Sequence, residues 1–213
     1  MREMIDLSHE IETGMPLFPG TTEIKIKDLH MVARDGFAEK QLGFTTHVGT
    51  HLDAPAHMLV AGQTLDSLPV ETFWGKGRVL DVRIFKGNEI PAEVIQKELT
   101  KATPDFLLFY TGFAELWGRP EYFGDYPVLS LKAAEIIAQS PLKGIGLDAP
   151  SVDSMKAEQY VIHHTLFKAG KIIVENLNRL EQLIGKDFYL SVFPLKVKQA
   201  DGMPVRAVAI LKL

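Results

Sequence analysis

The chain contains no cysteine. Disulfide frameworks, thiolate nucleophiles and sulfur-ligated zinc are excluded together, so any bound metal must rest on nitrogen and oxygen. Long apolar runs are missing too, and no stretch approaches the ~18 residues that cross a bilayer. The opening "MREMIDLSHEIETGM" has Arg2 but then acids at Glu3, Asp6, Glu10 and Glu12, where a signal peptide would carry its apolar region. A cytoplasmic location without membrane partners is the expectation. Positive charge is not in excess: 23 Lys and Arg against 27 Asp and Glu give a net charge of −4. No basic stripe with interleaved aromatics marks a nucleic-acid surface. Internal repeats and low-complexity linkers are absent. What remains is 213 residues, 46% hydrophobic and 23% charged. That is an ordinary globular composition, and its length suits one domain over residues 1–213.

Several signatures of common chemistry also fail. "GIGLDA" (144–149) has the letters of a dinucleotide-binding turn, but its glycines fall inside an apolar strand pattern and Pro150 stands where a helix would begin. No phosphate-cradling G-x-x-x-x-G-K-[ST] and no G-x-S-x-G nucleophile elbow occur.

Hydrophobic periodicity gives a mixed picture. "MIDLS" is a short apolar run, "TEIKIKDL" alternates as a half-buried strand, and "RVLDVRIF" (78–85) reads as a strand with Leu80, Val82 and Ile84 on one face. From residue 91 onward helices appear. "PAEVIQKEL" (91–99) opens on proline, "SLKAAEIIAQS" (130–140) offers Ser130 as an N-cap, and residues 154–169 suit a helix carrying His163 and His164. Between them "DFLLFYTG" (105–112), "KGIGLD" (143–148) and "KIIVEN" (171–176) read as buried strands. "NRLEQLIG" is a short helix, and "FYLSVFPL" and "VRAVAILKL" are closing strands. The expectation is an α/β domain on a mixed sheet.

Against that background "HVGTHLDAPAH" (47–57) stands out, with three of the seven histidines and one aspartate in eleven residues. His47, His51, Asp53 and His57 share one face of an extended chain. Fully extended, the segment would span roughly 33 Å, too long for shared ligation, so it must fold back, at Gly49 and Pro55. His-x3-His followed by Asp suits a divalent cation: neutral imidazoles donate and the carboxylate offsets charge. A distant donor is offered by "HHTLFKAGKIIVEN". Glu175 ends an apolar strand, where an unpaired carboxylate would be costly to bury. His163 and His164 point about 100° apart on a helix, so one of them faces the site.

The pattern H-x-G-T-H-x-D-x-P-x-H resembles the signature of the cyclase-like metal-dependent hydrolases, the group that includes bacterial kynurenine formamidase and isatin hydrolase. "DLSHEIETGMPLFPG", "YTGF", "GLDAPSVD" and "HHTLFKAGKIIVENL" extend the resemblance along nearly the whole chain. It implies a swivelling β/β/α fold with a central mixed sheet or barrel, and a homodimer or higher homo-oligomer. It implies two divalent ions, zinc or manganese foremost, with iron or cobalt compatible with the same donors. His47, His51 and Asp53 would hold the first ion and His163 the second, with Asp53 and Glu175 bridging the two; His57 would be the acid/base, a third ligand or a supporting neighbour of the ligands being its alternative roles. His164 would be a solvated neighbour. The implied activity is hydrolysis of a small amide, an aryl formamide such as N-formylkynurenine in tryptophan catabolism. A cyclic amide, or metal binding without turnover, are the alternatives. Phe18 in "MPLFPG" stands where kynurenine formamidases carry a substrate-contacting tryptophan. Asp148 and Asp153 either support the ligands from behind or form turns, and turns are favoured.

Overall fold

In this computed structural model, which describes residues 3–101 and 104–211, the apolar runs become the centre of a nine-stranded mixed sheet. In spatial order its strands are Met4–Asp6, Val208–Leu211, Phe188–Ser191, Trp74–Asp81, Phe106–Tyr110, Gly144–Leu147, Ile172–Glu175, His51–Asp53 and Gly202–Pro204. The four strands from Trp74–Asp81 to Ile172–Glu175 run parallel to one another, and the remaining pairings are antiparallel.

Side chains of the central strands are buried on both faces, as parallel strands require. Phe106, Leu108 and Tyr110 join Leu52, Val174, Leu190 and Ala209 in one apolar cluster. Leu107 and Phe109 join Ile145 and Ile173 in another, which also takes Ile95, Ile137, Ile162 and Leu166 from the helices Ala92–Leu99, Leu131–Gln139 and Val161–Lys168. The helices thus cover one face, and the sheet curls over the other. Only Val205, Arg206 and Ala207 separate Gly202–Pro204, at one end of the sheet, from Val208–Leu211, beside its other end. The two ends converge, and the result is a half-closed barrel within a single α/β domain. A separate hairpin pairs Lys25–His30 with Glu39–Gly43.

Gly144 and Gly146 lie inside a strand, as the failed dinucleotide signature implies. A Cβ on Gly144 would come within 2.3 Å of the Ile172 carbonyl oxygen, and one on Gly146 within 2.8 Å of Leu108 and Leu177. These glycines permit close strand packing.

Several boundaries differ from the sequence reading. The strand expected over 78–85 ends at Asp81, because the Asp81 carboxylate accepts the Arg83 N–H and the chain turns into a 3-10 segment, Arg83–Phe85. Val82 is buried, but Ile84 is exposed rather than sharing its face. The helix expected over 154–169 begins only at Val161, since Asp153 accepts from the Ile162 and His163 N–H groups and so caps it there. "NRLEQLIG" yields a 3-10 turn, Leu180–Leu183. The final strand ends at Leu211; the last two residues of "VRAVAILKL" lie outside the described residues.

Candidate metal centre

The short strand His51–Asp53 lies antiparallel to Ile172–Glu175, with His51 opposite Glu175 and Asp53 opposite Ile173. Leu52 and Val174 point into the barrel, so alternation turns His51, Asp53 and Glu175 to the helix-covered face. The helix Val161–Lys168 brings His163 onto the same spot. The loop before the strand folds back through Gly49, whose φ of +60° is left-handed, and Pro55 opens a 3-10 turn ending at His57. The fold-back points are those the sequence suggested, and the strand lies between them.

The two carboxylates each present one oxygen to either side. Asp53 Oδ1 lies 2.6 Å from His47 Nδ1 and 3.3 Å from His51 Nε2, while its Oδ2 is 4.0 Å from His163 Nε2. Glu175 Oε2 is 3.6 Å from His51 Nε2, and its Oε1 is 3.3 Å from His163 Nε2. Two donor sets result, His47–His51–Asp53 and Asp53–His163–Glu175, the atoms of each lying within 4.8 Å of one another. Both share Asp53. The donors are nitrogen and oxygen only, which suits a borderline divalent ion.

Each of these imidazoles is anchored on its far side. His51 Nδ1–H donates to the Gly49 carbonyl at 2.8 Å, His163 Nδ1–H to Asp153 at 2.6 Å, and His47 Nε2–H to Asp201 at 2.8 Å. Such outer acceptors fix ring orientation and raise donor basicity in metal sites. Asn176, left-handed at φ 56°, ties the loop to the strand end. Its Nδ2 donates to the Gly49 carbonyl, its own carbonyl accepts from Thr50 Oγ1, and Tyr122 donates to its Oδ1.

The electrostatics are those of a buried ionic cluster. His51, Asp53, His163 and Glu175 are all at most 5% exposed. Burial opposes charge on His47, yet Asp53 and Asp201 raise it to about 9. Burial likewise opposes charge on His163, yet Asp153 and Glu175 raise it to about 10. Burial alone would raise Asp53; the His51 and His47 charges instead hold it well below the ordinary carboxylate range. The carboxylates therefore favour positive charge at this spot, whether a proton or a metal ion supplies it. His57 differs. Burial lowers it, Asp53 opposes that, and the charges on His47 and His163 reinforce it. Its ring tilts against that of His47 at 3.9 Å between centroids.

A cavity of about 660 Å³ opens over the cluster. His47, His51, His163 and Glu175 form part of its lining with His57, and Phe18, Trp117, Phe123 and Tyr160 give aromatic walls. His164, expected to be a solvated neighbour, is half-buried and also lines it. Sequence reasoning missed Asp201 altogether. For Asp153 it favoured a turn over a place behind the ligands, and Asp153 both caps the helix and holds His163. Asp148 does clamp a turn, accepting from the N–H groups of Thr111 and Gly112.

With this geometry in view, the chain's relatives are informative. The Cyclase family model matches residues 5–154. An uncharacterized protein of Methanocaldococcus jannaschii is 32% identical over 212 residues, covering 98% of this chain and all of its own. A kynurenine formamidase of Geobacillus thermodenitrificans is 31% identical over 210 residues, covering 97% of each chain. Among solved structures, isatin hydrolase A from Labrenzia aggregata, bound to benzyl benzoate, superposes with a TM-score of 0.89 at 22% identity over 100% of this chain and 94% of its own, a likeness of fold. A structure described as a potential metal-dependent hydrolase with cyclase activity superposes at a TM-score of 0.82, with 25% identity over the whole of both chains. A family model spanning most of the chain, joined by relatives of nearly equal length, shows that this chain belongs to the cyclase family.

Proposed function

We propose that the chain is a metal-dependent hydrolase of a small amide, and that its substrate is an aryl formamide of the N-formylkynurenine type. The observation that carries this is the pair of donor sets sharing Asp53 on the floor of an aromatic-walled cavity, with His57 beside them. His47, His51 and Asp53 would hold one divalent ion, and Asp53, His163 and Glu175 a second, zinc and manganese both suiting the donors. Ions bound there would polarise a carbonyl and make a water more acidic.

The chain's own residues supply the rest. His57 Nδ1 lies toward Asp201 at 3.4 Å, which leaves Nε2 as the nitrogen for proton transfer. Burial disfavours charge on His57, so its ring is suited to take a proton from the attacking water and return it to the leaving nitrogen. Phe18, Trp117 and Tyr160 offer flat apolar surface to an aryl group and exclude bulk water. The formamide reading draws further support from the near-full-length kynurenine formamidase relatives.

Steady-state hydrolysis of a matched panel tests it: N-formylkynurenine, a formamide without the aryl group, a cyclic amide and an aryl ester. A kcat/KM for N-formylkynurenine at least ~10-fold above the others is expected. Preference for the cyclic amide would keep the hydrolase and replace the substrate class.

A further inference from the structure

We propose that Asp201 is a positioning residue that orients His57 for proton transfer, its own carboxylate being pinned by His47. The inference rests on the acid/base role of His57 proposed above. One oxygen, Asp201 Oδ2, lies 2.8 Å from His47 Nε2 and 3.4 Å from His57 Nδ1. The other, Oδ1, accepts from Thr46 Oγ1 at 3.1 Å. The carboxylate is therefore held at both ends, and His57 receives its acceptor from a group that is already fixed.

The backbone is built to deliver it. The Ala54 N–H donates to the Asp201 carbonyl at 2.8 Å, and the next residue, Gly202, pairs with Asp53 across the edge of the sheet. A Cβ on Gly202 would stand 2.4 Å from His47 Cε1, so only glycine lets the His47 ring lie over this strand and reach Asp201. The arrangement matches that on the opposite side of the cluster, where Asp153 holds His163. Asp201 differs from Asp153 in serving two imidazoles, one a candidate ligand and one outside the two donor sets that share Asp53. With Nδ1–H given to Asp201, the His57 ring keeps its lone pair on Nε2 and cannot present the wrong nitrogen to the substrate. The 3.4 Å separation is long for such a bond, and in catalytic sites such contacts shorten when substrate binds.

Asp201, His47 and His57 also place three donor atoms within 4.8 Å of one another, so the rival role for Asp201 is a ligand of a further cation. A double-mutant cycle at saturating zinc, with bound metal counted for each protein, separates the two. Asp201→Ala should lower kcat by about 10- to 100-fold, with KM within about threefold and metal content unchanged. In a His57→Ala background the same change should cost less than about twofold, because the residue it acts through is gone. Asp201→Asn, which keeps an acceptor oxygen, should recover part of the loss.

The tautomer of His57, read from 15N-labelled histidine in the zinc-loaded protein, gives a signal independent of turnover. It should be Nδ1–H in the parent and lose that preference in Asp201→Ala. An undiminished loss of kcat in the His57→Ala background, a metal equivalent lost with Asp201, or an unchanged His57 tautomer would each overturn the proposal. If the parent hydrolyses no amide at all, the proposed function fails, and the tautomer still decides the role of Asp201.

Discussion

At the scale of single residues, the site separates groups that would hold a cation from a group that would move a proton. His47, His51 and His163 each have one nitrogen turned to Asp53 or Glu175 and the other tied to an acceptor outside the cluster. His57 lies outside both sets that share Asp53. Replacing His57 with alanine should therefore reduce kcat by about 100-fold or more while bound metal, counted by elemental analysis, stays unchanged. Loss of metal with the ring would make it a ligand. Asp153→Ala should act the other way. By freeing His163 Nδ1 it should weaken metal affinity by about 10- to 100-fold in competition with a chelator, and reduce turnover only where metal is limiting. The sequence showed His47, His51, Asp53 and His57 because eleven residues confined them, and Glu175 because a carboxylate is out of place in "IIVE". It could not show Asp201. "QADGMP" reads as a turn, and the contact that gives Asp201 meaning crosses 154 positions of chain.

At the scale of elements, the legible parts are those whose burial is two-sided. Phe106–Tyr110, Gly144–Leu147 and Ile172–Val174 are apolar because the barrel interior covers one face and the helices the other. The elements that were misread end on side-chain hydrogen bonds rather than on a change of hydropathy. Asp81 stops a strand through the Arg83 N–H, and Asp153 delays a helix to Val161. The short edge strand Gly202–Pro204 carries no alternating pattern, and its value lies in the one position without a side chain. Gly202→Ala should push the His47 ring off Asp53 and Asp201 without unfolding the sheet. Circular dichroism should stay near that of the parent while metal affinity falls by about 10-fold or more. A variant that binds metal normally would show that His47 does not need this edge.

At the scale of the whole molecule, the curl of the sheet places "HVGTHLDAPAH", the end of the Ile172–Glu175 strand and the Val161–Lys168 helix around one cavity. No helix among the described residues is long and apolar enough to cross a membrane. One wall of the cavity is secured from behind, since Trp117 stacks on His9 at 3.9 Å between ring centroids. Burial, with the Arg179 charge adding to it, lowers His9 from the usual 6.5 to about 4. The unfolded chain therefore takes up this proton at a higher pH than the folded one. The contribution of neutral His9 to stability is complete above pH 6.5 and is lost as the pH falls toward 4. Denaturant titrations across that interval should show stability declining with acid, and His9→Phe, which keeps the stacked ring, should flatten that decline. An equally steep slope in the variant would assign the acid sensitivity to other groups.

The central claim is that the two donor sets sharing Asp53 would hold two ions in one hydrolytic centre. Its most direct test is the metal content of chelator-stripped protein refilled with zinc or manganese, read together with amide hydrolysis at each step of refilling. The account predicts about two equivalents bound per chain, with activity rising as they fill and both equivalents weakened by Asp53→Ala. A protein that binds no divalent metal, or one that hydrolyses its amide equally well when stripped, would contradict it.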